Sequence, residues 1–76
     1  MSLMGRELFK ILLNRYQSEI RNNHILLINK FKEADKVGKY LDIPKHLNEM
    51  DNQLLKIAEA TNKLEILTKY FTKGYQ

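Results

Sequence analysis

The sequence predicts an all-α protein: an antiparallel hairpin of two long helices, about residues 4–38 and 44–73, pairing with a second copy as a four-helix bundle. Three observations carry this. Apolar residues recur with helical spacing through both halves of the chain. Only three glycines and one proline occur in 76 residues, so few, long elements are expected rather than many strands and turns. The apolar helix surface also exceeds what one hairpin can enclose.

The first helix rests on Leu8, Phe9, Leu12, Leu13, Tyr16, Ile20, Leu27, Phe31, Ala34, Val37 and Leu41, which share one face at about 3.6 residues per turn. Asn22, Asn23 and His24 interrupt that face. Asparagine costs only a few tenths of a kcal/mol more than alanine in a helix, so one helix with room to bend or fray near Asn22 is favoured over the alternative of two helices split there. His24 beside Asn23 reads as a polar interruption that fixes register.

Gly38 to Pro44 is the single credible reversal. Gly38 can end the first helix, and the residue before Pro44 is pushed out of helical geometry. Asp42 is placed to cap the second helix, and Pro44 near its start loses no needed N–H. Leu41 and Ile43 are expected to fold back over the closed end. Reversal about residue 41 sets Leu27 near Leu55, Tyr16 near Ile66, and Phe9 near Lys73.

The second helix has the clearest periodicity. Leu47, Met50, Leu54, Ile57, Thr61, Leu64, Thr68 and Phe71 alternate spacings of 3 and 4, the heptad pattern that keeps one stripe against a partner helix. Each of the two threonines is expected to bond its hydroxyl to the carbonyl one turn back. Gly74 is placed to end the helix. The expected core and oligomer seam is therefore Leu47, Met50, Leu54, Ile57, Leu64 and Phe71 on one helix, and Leu13, Tyr16, Ile20, Leu27 and Phe31 on the other. The chain is read as a single hairpin domain over 1–76, with residues 1–3, just ahead of a second methionine, read as a cloning remnant and given no weight.

Composition narrows the functions. A chain this short has little core to spare, and with no cysteine it has neither disulfides nor thiolate metal sites, which leaves oligomerisation as the stabilising device. No nucleophile stands beside a base and no glycine-rich phosphate loop is present, so an enzyme is not expected. His46 with Glu49 reverses the Glu-x-x-His order of di-iron bundles, and His46 reads as a surface histidine near the helix start. No metal, cofactor or catalytic residue is assigned. The longest apolar run is Ile25 to Ile28, far short of the ~20 residues that span a bilayer, and no secretory signal is visible. A cytoplasmic setting is expected, without membrane insertion. The start of the first helix could lie on an anionic membrane surface, but its apolar residues are those of the hairpin stripe.

Net charge is +4, spread along the chain. Lys30, Lys32, Lys36, Lys39 and Lys45 gather near the turn, interleaved with Glu33, Asp35 and Asp42. Arg6, Lys10, Lys69 and Lys73 gather at the opposite end. These are candidate contacts for an acidic partner or nucleic acid. A helix-turn-helix across Ala34 to Leu55 is disfavoured, because the second helix is far longer than a recognition helix. The leading expectation is a non-enzymatic protein–protein interaction module, a self-associating hairpin acting as a small regulator or adaptor with a protein partner. The alternative is a basic nucleic-acid-binding regulator built on the same dimer, and a filament subunit is a third reading.

Overall fold

The computed structural model describes residues 3–74, with side chains over 4–71. Two helices account for nearly all of it. Helix α1 spans Leu3–Val37 and helix α2 spans Ile43–Gly74, joined by a 3-10 turn over Gly38–Tyr40. The helices pack against each other as an antiparallel hairpin, 58 Å long and 15 Å by 12 Å across. Each boundary lies one residue from its expected place, within the usual fraying of a helix end. Helix α1 runs unbroken through Asn22. The side chains of Leu3 and Lys73, and Met1 and Ser2 of the expected cloning remnant, lie outside the described residues.

Local chemistry explains the turn. Gly38 takes a φ of +62°, a left-handed conformation that glycine adopts without a Cβ penalty. Leu41 then donates its N–H to the Gly38 carbonyl at 3.0 Å. Asp42 caps α2 as expected: its Oδ1 accepts from the Lys45 N–H at 3.2 Å, and its carbonyl accepts from His46 at 2.9 Å. Leu41 is half-buried over the closed end, but Ile43 points to solvent and covers nothing.

The facing register differs from expectation. Because the chain reverses at Gly38–Tyr40 rather than at residue 41, Phe9 and Tyr16 meet partners on α2 two to three residues earlier than expected. Phe9 stacks on Phe71, with ring centroids 3.8 Å apart, instead of meeting Lys73. The Lys63 ammonium lies 5.9 Å from the Tyr16 ring, and Leu55 and Ile66 are exposed.

Candidate interaction surface

The contact line between the helices changes character along its length. In the half nearest the turn polar groups dominate it, beside half-buried Leu27 and Met50. Lys30 donates to Glu49 at 2.5 Å and also reaches Glu33 at 3.8 Å. Gln53 donates its amide to Asn23 Oδ1, while Asn23 donates to the Glu19 carbonyl one turn back at 2.7 Å. The hydrogen bond and charge of Lys30 hold the Glu49 carboxyl below the ordinary carboxylate range, and Glu49 holds the Lys30 ammonium above its own. His46 is buried at 7% exposure rather than lying on the surface. Its Nε2 has no hydrogen-bond partner among the described residues. It lines a hollow of about 160 Å³ with Glu33, Leu41, Asp42, Lys45 and Glu49.

In the open half the contact line is apolar. Phe9, Leu12, Leu13 and Tyr16 of α1 are half-buried with Leu64, Leu67 and Phe71 of α2. Ala60, at 3% exposure, is the one buried apolar residue among the described residues. Thr68 donates to the Leu64 carbonyl at 2.9 Å, as expected.

Against this geometry the expected seam is only partly used inside the hairpin. Met50, Ile57, Leu64 and Phe71 face α1. The positions flanking them on the inside are His46, Gln53, Ala60 and Leu67, not Leu47, Leu54, Thr61 and Thr68. The buried line of α2 is thus the predicted heptad line turned by about 50°. Leu47 and Leu54 stand 56% and 48% exposed. On α1, Leu13, Tyr16, Ile20 and Leu27 are half-buried and Phe31 is exposed. Residues 46, 53, 60 and 67 recur every seven, as do 47, 54, 61 and 68. Spacing alone could not choose between them, and hydropathy favoured the wrong flank for the hairpin contact.

The basic residues occupy both ends. Lys30 is engaged by Glu49 and Glu33, whereas Lys32, Lys36, Lys39 and Lys45 are exposed. Lys32 and Lys36 share a hollow with Asn29 and Glu33, and Lys39 lies 5.3 Å from the Tyr40 ring. At the open end Arg6 and Lys10 rim an apolar groove floored by Phe9, Leu13 and Phe71. Lys69 lies 5.9 Å from the Tyr70 ring. On the other side of the same end, Leu8, Leu12, Leu67 and Tyr70 line a second groove.

Among the described residues no cluster of three or more His, Cys, Asp or Glu side chains could hold a metal ion, and no helix is long and apolar enough to cross a membrane. No protein-family model, curated protein or solved structure matches the chain.

Proposed function

We propose that this chain is a non-enzymatic protein–protein interaction module, a self-associating helical hairpin that serves as a small regulator or adaptor. The observation that carries the reading is its exposed apolar surface. Area scaling gives about 4,900 Å² for a folded monomer of this mass, whereas the chain exposes 6202 Å². The excess, roughly 1,300 Å², lies within the ~1,000–2,500 Å² per partner that permanent dimers bury. Fifteen large hydrophobic residues stand exposed while the described core contains Ala60 alone. Two helices cannot surround a core, and a second hairpin is the simplest cover.

The polar groups along the contact line support a structural role, since Lys30 with Glu49 and Asn23 with Gln53 satisfy one another. The nucleic-acid alternative lacks comparable support, because Lys30 is taken up by carboxylates and Glu33 shares the hollow of Lys32 and Lys36. Light scattering across a micromolar concentration series tests the proposal. A stable mass of twice the 9.0 kDa chain, or a higher closed multiple, is expected. A cooperatively melting monomer at all concentrations overturns it.

A further inference from the structure

We propose that the second copy docks on one particular face, formed near the turn by Ile28 and Phe31 of α1 and Leu47 and Leu54 of α2, and that the same face of both copies meets. This rests on the self-association reading and assigns its surface. Helical phase places the four residues together. Phe31 lies 18 residues, or about five turns, beyond Leu13 and therefore on the same side of α1. Leu13 borders the groove with Arg6 and Lys10, opposite the groove of Leu8 and Leu12. On α2, Glu49 lies the same distance before Leu67 and so belongs to the Leu8 side. Leu47 and Leu54 lie across the contact line from Glu49, which puts them on the side of Phe31. All four are between 48% and 56% exposed.

Two features separate this face from the opposite one. The first is charge. Continuing along the helix from Leu13 to Phe31, this flank passes Gln17, Ile20, His24 and Ile28, none a lysine, arginine or carboxylate. On α2 the flank from Leu47 passes Met50, Leu54, Ala58 and Thr61, again uncharged; charges enter this side only beyond these stretches, at Arg6, Lys10 and Asp35 on α1 and Glu65 on α2. The opposite flank continues from Leu8 and Leu12 into Arg15 and Glu19, and from Tyr70 and Leu67 into Lys63, Glu59 and Lys56. Its apolar groove is confined to the open end. The second feature is direction. In a four-helix bundle each apolar stripe points at the bundle centre, which lies about 45° round from the neighbouring helix. The α2 heptad stripe is turned by about 50° from the hairpin contact, toward this face. The expected α1 seam of Leu13, Tyr16, Ile20, Leu27 and Phe31 leans on average to the same side. A self-complementary face of this kind closes as a two-fold dimer.

Single substitutions on the two faces test the assignment, with light scattering and circular dichroism read together. The expected result is a wild-type dimer that Leu54→Lys weakens at least tenfold, giving the monomer mass at micromolar concentration, while Leu8→Lys leaves the mass unchanged. The chain contains no cysteine, so cross-linking provides a readout if Leu54→Lys fails to fold. Leu47→Cys should be captured as a covalent dimer by a two-armed thiol reagent of about 10 Å, the spacing of packed helices, and Leu8→Cys should not. A dimer that Leu8→Lys dissociates, or that cross-links through Leu8→Cys and not Leu47→Cys, overturns the face while self-association stands. A monomeric wild-type chain overturns both.

Discussion

The two halves of the hairpin share one backbone geometry and solve opposite problems. Around the open end, Phe9 stacks on Phe71 with Leu12, Leu13, Leu64 and Leu67 half-buried beside them, and buried Ala60 lies toward the middle of the hairpin. Near the turn the contact is polar, built from Asn23 with Gln53, Lys30 with Glu49, and buried His46. Of the large apolar residues of that half, Leu27 and Met50 are half-buried, whereas Ile28, Phe31, Leu47 and Leu54 are turned outward. Apolar contact supplies energy with little directional preference, because area burial is indifferent to which neighbour supplies it. Polar pairs contribute less net energy but are strict about partner and position. The open half therefore holds the helices together, and the turn half sets their register.

Substitutions that exchange these characters should separate the roles. The largest effect is expected from Ala60→Leu, which forces a bulky side chain into the most buried position among the described residues. Overpacking of this kind costs about 1–3 kcal/mol, and a domain of this size loses roughly 4–8 °C for each. A thermal melt unchanged by Ala60→Leu would show that the open half is not tightly packed.

Replacing this half-buried polar pair together, as Asn23→Leu with Gln53→Leu, should raise the melting temperature by several degrees, since both partners of the hydrogen bond are removed at once. The single substitution Gln53→Leu should lower it, because Asn23 Oδ1 then loses its donor. A double variant no more stable than the single one would contradict the division between energy and register.

Gly38→Ala tests the turn itself. At φ +62° a Cβ meets no neighbour within 4 Å, so the cost is purely conformational, about 1 kcal/mol. Chemical denaturation should show that loss with an unchanged m-value.

The smallest effect concerns Lys30 and Glu49. With its folded value lowered from the ordinary 4.5, Glu49 contributes stability above that pH, and the contribution is lost as pH falls through the lowered value. Lys30, raised from 10.5, contributes below that pH and loses its share as pH rises through the raised value. Both groups are partly exposed, at 27% and 39% of their side chains, so solvent screens the pair. Glu49→Gln should flatten the small acid-side decline in melting temperature, and added salt should do the same in the parent chain.

Much of the fold was legible because its signals are local. Gly38, Asp42 and Pro44 marked the reversal, and the capping bond from Lys45 to Asp42 follows from that short stretch alone. The hydroxyl bond of Thr68 is equally local. The register was less legible: the 3-10 turn moved the pivot a residue or two toward the N-terminus and carried every facing pair with it. The contact line was the least legible. Asn23, Lys30, His46 and Gln53 are residue types found mostly on surfaces, and nothing in their spacing distinguishes them from solvent-facing positions.

By itself, then, the sequence determined that this chain is helical, that it has two helices, and where they reverse. Apolar periodicity, the scarcity of breakers and the chemistry of the cap act over a few residues and need no partner. The tertiary structure decided which edge of the α2 stripe meets α1. The central positions Met50, Ile57, Leu64 and Phe71 serve either choice. Side chains far away in the chain break the tie: Asn23 finds Gln53 across 30 positions and Lys30 finds Glu49 across 19, and turning α2 to satisfy them leaves Leu47 and Leu54 outside.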